Sequence, residues 1–245
     1  MLTTKRLIAA GLATFIAGIL LTFPARVPYS WFSSPEVRLS GLSGTVWRGA
    51  AAEGSVAGLY LRDLRWSIQP LSIFRGRLAY RVESDSDYGP IRSVVGVGMG
   101  GAVTLQDFAS TFALEEFRDL FALQGFNGTL QADFESIVLE NGFPTSATGQ
   151  LTLMNLLAPQ LSPLPIGSYR AEFTTNADGI LGSVEDNGGV LDVAGTISLG
   201  LDRRYSFVGT VAALPEAPAG LSNQLQYLGS PDARGFREFR IEGQL

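Results

Sequence analysis

The chain has 245 residues, of which 46% are hydrophobic and 17% charged, with a formal net charge of -5. This composition is typical of a globular protein, and the acidic balance argues against a nucleic-acid-binding face, which needs clustered basic residues. The chain contains no cysteine and no histidine. Thiolate nucleophiles, disulfides, histidine bases and metal sites built from cysteine or histidine are therefore excluded.

The first predicted element is a membrane anchor. Residues 1–6 form a tail that carries Lys5 and Arg6, and residues 7–23 follow without a charged side chain. As a helix this apolar stretch is about 25 Å long, at about 1.5 Å per residue, just enough to cross a bilayer core. A secretory signal peptide has a shorter apolar region and a small-x-small cleavage site, so the pattern favours an uncleaved single-pass anchor. We expect a cytoplasmic N-terminus, a bacterial inner-membrane location and a periplasmic remainder.

Residues 24–35 form a Pro-rich exit segment with three aromatic residues, Tyr29, Trp31 and Phe32. Aromatic side chains just outside a span commonly lie at the level of the lipid headgroups. The same side chains could equally pack beneath the first strands, and the sequence leaves both interpretations open.

From residue 36 onward the periodicity is that of strands. Leu64, Trp66 and Ile68 alternate with polar residues, and so do the apolar residues of 76–83. Such alternation is typical of an antiparallel sheet with one wet face. We predict an all-β, mainly antiparallel domain over 36–245, a long curved or half-barrel sheet after one N-terminal transmembrane helix.

A short Gly-Thr-aliphatic unit recurs along the chain. We interpret each copy as the start of a strand, in which glycine allows a turn and the threonine and aliphatic residue begin the strand. The copies are Gly44-Thr45-Val46, Gly128-Thr129-Leu130, Gly195-Thr196-Ile197 and Gly209-Thr210-Val211, with looser forms at Gly149 and Gly243.

One or two short helices are expected within the sheet. Residues 70–75 suggest a one-turn helix, 110–123 an amphipathic helix that packs on the sheet or binds a partner, and 219–228 a weaker candidate. Residues 155–165 are a possible seam, although one continuous sheet would pass through them equally well.

Glycine and acidic residues predict the turns. Residues 84–90 are interpreted as a hairpin tip rather than a calcium loop, because Asp85 and Asp87 lack the further oxygen ligands that calcium needs. Residues 186–189 predict a second hairpin turn. Residues 96–101 predict a glycine-rich bend, since they lack the lysine of a phosphate-binding loop.

The segment from Pro24 to Tyr80 resembles the type II secretion system protein N family, inner-membrane accessory components of the machine that exports folded proteins through the outer membrane. The motifs G-T-V-W-x-G and L-x-W…P…L carry the resemblance. A more distant similarity is to the AsmA-like proteins with groove-forming sheets. The structural or interaction candidates are Gly44, Thr45, Trp47, Gly49, Leu64, Trp66, Pro70, Leu71 and Tyr80.

Three functional classes are then compared. An enzyme is disfavoured, because the only lysine is Lys5 and no nucleophile elbow is present; no catalytic, cofactor or metal residue is predicted. A non-enzymatic subunit that contacts other inner-membrane secretion components, through edge strands among other surfaces, is favoured. The alternative is a periplasmic lipid-binding module, in which Leu64, Trp66, Ile68, Leu78, Tyr80 and Val82 line a groove rather than an ordinary core.

Overall fold

The computed structural model describes residues 4–32, 37–56, 59–74, 76–86, 89–98, 100–117, 125–160 and 162–244. Its helices are α1 (Thr4–Leu21), α2 (Arg26–Phe32), α3 (Pro70–Ile73) and α4 (Ala219–Leu225), with 3-10 turns at Leu114–Phe117 and Gln226–Leu228. Its strands are β1 (Val37–Ser40), β2 (Ser43–Gly44), β3 (Arg48–Val56), β4 (Leu59–Ile68), β5 (Arg77–Ser86), β6 (Gly89–Gly98), β7 (Val103–Ala113), β8 (Asn127–Glu140), β9 (Phe143–Leu157), β10 (Gly167–Asn176), β11 (Gly179–Gly189), β12 (Leu191–Gly200), β13 (Arg204–Ala213) and β14 (Arg237–Gln244).

All of these strands belong to one open 14-stranded sheet. From β3 to β14 each strand pairs with the next in sequence, while β1 and β2 both pair with β3, and every pairing is antiparallel. The prediction of an all-β, mainly antiparallel fold with a few short helices is therefore confirmed. Within the described residues, the structure contains no helix whose length and apolar character would suffice to cross a membrane.

Because the strands alternate in direction, their connections lie at two ends of the sheet. We call the base the end at which β3 begins and β4 ends. The turns at the base are 69–76, 99–102, 141–142, 177–178 and 201–203, and the far end carries the longer connections 158–166 and 214–236.

The two faces of the sheet differ in polarity, as period-two alternation requires. Across β8 to β11, one row of cross-strand partners reads Ala132, Leu151, Ala171 and Val184. The next row, which points to the opposite face, reads Gln131, Thr152, Arg170 and Glu185. The apolar face is only partly buried, and the described residues form two small buried clusters. These are Leu42, Ala51, Leu61 and Leu64 around β3 and β4, and Ala158, Ile166 and Leu221 at the far end.

The predicted helix over 110–123 is wrong in its first part. Residues 110–113 belong to β7, where Ser110 pairs with Ala132 and Phe112 with Leu130 of β8. A 3-10 turn follows, and residues 118–123 lie outside the described part of the chain. The spacing of the apolar residues fits both the helical and the strand period, and the hydrogen-bonded pairing with β8 selects the strand. The short helices expected within 70–75 and 219–228 are both present.

One predicted hairpin turn is displaced, and the other is present but shorter than predicted. The predicted turn at 186–189 is wrong, because β11 continues to Gly189, which pairs with Gly167 of β10, and the chain reverses at Val190. At the other predicted turn, β5 and β6 extend until Ser86 pairs with Gly89, and residues 87–88 are outside the described residues.

The Gly-Thr units are mostly not strand starts. Gly195 and Gly209 lie in mid-strand, directly opposite each other on β12 and β13. A Cβ at Gly195 would lie 2.9 Å from the ring of Phe207, and one at Gly209 would lie 2.9 Å from the ring of Phe239. These two glycines therefore leave room for the facing backbone and for aromatic rings on the sheet, and this tertiary requirement explains the two copies better than a turn does.

Candidate functional site: the junction between the first helix and the sheet

A backbone junction joins the end of α1 to the base of the sheet. The amide of Ala25 donates to the carbonyl of Gly44 at 3.2 Å, and the amide of Val46 donates to the carbonyl of Phe23 at 3.0 Å. Pro24 and Thr45 form an isolated antiparallel bridge between these two bonds. Residues 23–25 thus act as a short extra strand beside the loop that precedes β3.

Trp47 connects three parts of this junction. Its indole Nε1 donates to the carbonyl of Leu20 in the last turn of α1 at 2.6 Å. Its backbone carbonyl accepts from the amide of Ile68, the last residue of β4, at 2.7 Å. The last carbonyls of a helix have no partner within the helix, so the indole satisfies one of them and ties α1 to the sheet.

Trp66 and the glycines shape the same loop. The indole Nε1 of Trp66 donates to the carbonyl of Thr45 at 3.2 Å, and the Thr45 hydroxyl accepts from the amide of Arg48 at 3.2 Å. Gly49 is the cross-strand partner of Trp66. A Cβ at Gly49 would overlap the indole and lie 2.6 Å from the Ser43 carbonyl. Gly44 adopts a φ of 81°, which favours glycine.

Helix α2 packs against the first strands of the sheet. The guanidinium Nε of Arg26 donates to the carbonyl of Leu42 at 2.8 Å, and the hydroxyl of Tyr29 accepts from the amide of Leu39 at 2.7 Å. Tyr29 also contacts the buried cluster that contains Leu64. Tyr29 therefore packs beneath the first strands, whereas Trp31 is 67% exposed. The side chain of Phe32 is outside the described residues.

The remaining candidates lie next to the junction but outside its hydrogen bonds. Pro70 opens α3, and Leu71 is exposed. Tyr80 is half-buried on β5, opposite Ile68, and burial raises the pKa of its hydroxyl. The structure thus brings Gly44, Thr45, Trp47, Gly49 and Trp66 together. Leu64 joins the adjoining cluster, while Pro70, Leu71 and Tyr80 stay apart.

Sequence reasoning did not identify the hydrogen bonds that three residues outside the motif make at the junction. Leu20, Arg26 and Tyr29 contribute a carbonyl, a guanidinium and a phenol oxygen from segments outside the motif. A tryptophan and a tyrosine near a helix exit signal a need for polar partners. The sequence does not specify which backbone group provides them.

An apolar cavity lies elsewhere on the sheet. It has a volume of about 320 Å³ and is lined by residues from β8 to β13. The side chains that point into it include Leu130, Leu151, Leu153, Tyr169, Val184 and Phe207. The groove residues expected from the sequence are not its lining. Leu64 is buried in the first cluster, with Trp66 and Val82 packed against it.

The described residues hold no group of three or more His, Cys, Asp or Glu side chains that could bind a metal ion. Asp85 lies in β5 opposite Pro90, while Asp87 is outside the described residues. The chemistry of the junction is that of hydrogen bonding and packing between a helix and a sheet.

The fold and this junction together define a helix-tethered, single-sheet β protein. Comparison with known proteins gives the family. The family model described as type II secretion system (T2SS), protein N, matches residues 35–240, so the chain belongs to the type II secretion system protein N family, as the motifs between Pro24 and Tyr80 predicted.

Two relatives align over nearly the whole chain. The type II secretion system protein N of Aeromonas hydrophila is 26% identical over 253 residues, covering 98% of this chain and 99% of the relative. The protein of the same name from Vibrio cholerae serotype O1 is 26% identical over 257 residues, covering 98% and 100%. No solved structure matches the chain.

Proposed function

We propose that this protein is a non-enzymatic subunit of the type II secretion machinery, anchored in the inner membrane by its apolar segment 7–23, most of which lies in α1, with its N-terminus in the cytoplasm and its sheet in the periplasm. Family membership over residues 35–240 supports the role in secretion. The observation that carries the anchor is the environment of α1. The apolar side chains that the structure describes in this helix are exposed all around it, among them Ile8, Leu12, Phe15, Ile16, Ile19 and Leu21.

An exposed helix that is apolar on every face is typical of a segment surrounded by lipid or protein. Among the described residues, the hydrogen bonds that join this helix to the sheet lie at its C-terminal end, through Leu20 and the residues that follow. The sheet would accordingly begin where the lipid ends, with its base facing the membrane.

The edge strand β14 is the surface we assign to contact with other secretion components. It is the last strand of the sheet and runs over eight residues, most of them exposed. Arg237, Glu238, Arg240 and Glu242 give this edge charged side chains of both signs, which a partner strand of complementary charge would match.

The test is complementation of a deletion strain, read as the amount of exported protein in the medium. A photo-crosslinker at Arg240 on β14 should trap another inner-membrane secretion subunit. The same group at Thr196, an exposed residue on β12, which is paired with a strand on each side, should not. Normal export in the deletion strain together with no adduct at Arg240 would contradict the proposal.

A second candidate function is lipid binding, and the apolar cavity favours it. Its volume lies within the range of about 300–1,000 Å³ that is usual for small-molecule sites. The strand pairing shifts register near Asp63, Asp107 and Asn155, and each of these residues has a positive φ. Irregularities of this kind bend a sheet, and a bent sheet can form a trough.

A crosslinker at Leu153, which lines the cavity, would then give phospholipid adducts in cells. Thr152 is the matched control, because the neighbouring residue of a strand points to the opposite face. Equal lipid labelling at both positions, or none at Leu153, would exclude this candidate.

A further inference from the structure

The connection between β4 and β5 differs from the other turns at the base. It occupies residues 69–76 and contains α3, whereas β8 and β9 are joined by Asn141-Gly142 alone. Those two residues have φ of 52° and 77°, which suits the tight hairpin turn that closes two antiparallel strands. A longer connection is therefore not needed to reverse the chain at this end of the sheet.

The α3 connection is ordered by polar contacts that point toward the sheet. The hydroxyl of Ser72 donates to the Gln69 carbonyl at 2.6 Å and accepts from the amide of Ala79 at 3.2 Å. The amide of Gln69 donates to the Ala79 carbonyl at 2.8 Å. The serine thus faces inward and fixes the short helix against β5.

The apolar side chains of the same connection point outward. Leu71 is 77% exposed, Ile73 50% and Phe74 89%. Single exposed apolar residues are ordinary, but adjacent ones on a fixed turn mark a contact surface. This arrangement, with the serine inside and the apolar residues outside, is the reverse of what a water-facing turn requires.

The position of α3 relative to α1 suggests what covers it. Ile68, two residues before α3, donates its amide to the carbonyl of Trp47, and the indole of Trp47 donates to Leu20 of α1. Two hydrogen bonds therefore connect the start of the α3 connection with the end of the proposed anchor.

The charge around this part of the base is positive. Residues 24–32, 41–49 and 65–83 contain six arginines and one glutamate, Glu83, in a chain whose net charge is -5. Five of the arginines are described, namely Arg26, Arg48, Arg65, Arg77 and Arg81. We call the exposed residues Leu71, Ile73 and Phe74 the wedge. Basic side chains beside such an apolar wedge complement anionic phospholipid headgroups.

We propose that α3 is a second membrane contact, in which Leu71, Ile73 and Phe74 enter the interfacial layer of the same bilayer that holds α1, with the arginines at the headgroups. This inference rests on the proposed anchor. Its consequence is that the sheet is held at two points, so that it stands on the membrane in a fixed orientation.

Site-directed spin labelling of the full chain in nanodiscs of phosphatidylethanolamine and phosphatidylglycerol tests it. The chain has no cysteine, so single-cysteine variants label at one position. The variants are Phe74→Cys in the wedge, Leu12→Cys within α1, and Tyr227→Cys at the far end, where the tyrosine is 87% exposed. The measurement is the ratio of collision rates with lipid-soluble oxygen and with a water-soluble nickel complex.

We expect a ratio at Phe74 severalfold higher than at Tyr227 and below that at Leu12, which places the label in the interface. A collision ratio typical of lipid at Leu12 together with a ratio typical of water at Phe74 would overturn the second contact and leave the anchor intact. Ratios typical of water at both positions would overturn the anchor as well. A label at Phe74 shielded from both reagents would indicate a second copy of the chain and would also overturn the inference.

Discussion

The indole Nε1 of Trp47 donates a hydrogen bond of 2.6 Å to the main-chain carbonyl of Leu20, which lies 27 residues earlier in the last turn of α1. This bond connects a helix whose described side chains are exposed to the sheet, whose strand β3 begins at the next residue, Arg48. It also gives a physical role to the tryptophan of the G-T-V-W-x-G motif.

Substituting Trp47→Phe should loosen the junction without unfolding the sheet. The ring is kept, but the donor to Leu20 is lost, at a cost of about 0.5–1.5 kcal/mol. Hydrogen exchange should become faster at Val46 and Ala25, whose amides bridge the two segments. Trp31→Phe is the control and should leave this exchange unchanged.

Trp47→Ala should act more strongly, because packing is lost together with the hydrogen bond. We expect a lower level of folded protein in cells, measured by limited proteolysis of the membrane fraction. A Trp47→Ala protein that is stable but fails to support export would contradict a scaffold role and make Trp47 a contact residue.

Gly49→Ala should destabilise the sheet by about 1–3 kcal/mol, because the added methyl group overlaps the Trp66 indole and the Ser43 carbonyl. Urea unfolding gives the free energy. Gly100→Ala is the matched control, since a Cβ there meets nothing within 4 Å. Equal stability of the two variants would show that the indole does not occupy the space above Gly49.

The glycine-aromatic pairs predict a coupling between Gly182 and Phe173. A Cβ at Gly182 would lie 2.8 Å from Cε1 of Phe173, its cross-strand partner. Gly182→Ala should therefore destabilise the wild-type sheet more than it destabilises a Phe173→Leu background. A double-mutant cycle that gives additive effects would contradict the close packing of this pair.

How far the sequence predicts this protein differs from element to element. The alternation of Leu64, Trp66 and Ile68 predicted β4, and Pro70 correctly indicated a short helix at α3. The segment 110–113 was assigned to a helix because its apolar residues fit both periods, and only its pairing with β8 decides. The strand order follows the chain order from β3 onward, because each of these strands pairs with the next one in sequence.

The candidate site was predicted in part for a similar reason. Gly44, Trp47, Gly49 and Trp66 come from neighbouring strands and a short loop, so their proximity follows from a local motif. The carbonyl of Leu20 and the phenol of Tyr29 come from helices, and the orientation of those helices depends on tertiary packing. The mid-strand glycines were misjudged because the rings that cover them lie on adjacent strands.

Stability should fall at high pH through Tyr169. Burial, together with the nearby carboxylate of Asp186, raises the pKa of Tyr169 from 10.0 to about 12. The folded state thus favours the neutral phenol, and this contribution is full below pH 10 and is lost as the pH rises toward 12.

Tyr169→Phe should accordingly flatten the dependence of the urea midpoint on pH in this window. Tyr227→Phe is the control, because Tyr227 is exposed, and it should leave the dependence as it is. A Tyr169→Phe protein that loses stability as steeply as the wild type between pH 10 and 12 would assign the effect to other groups.

The central claim is that α1 holds the sheet on the periplasmic side of the inner membrane, and cysteine accessibility in cells tests it most directly. Single-cysteine variants Thr4→Cys and Tyr227→Cys are exposed to a membrane-impermeant maleimide after the outer membrane is permeabilised, and again after lysis. We predict that Tyr227→Cys reacts before lysis and Thr4→Cys only after it. Protection of Tyr227→Cys until lysis, or reaction of both positions in unlysed cells, would contradict the account.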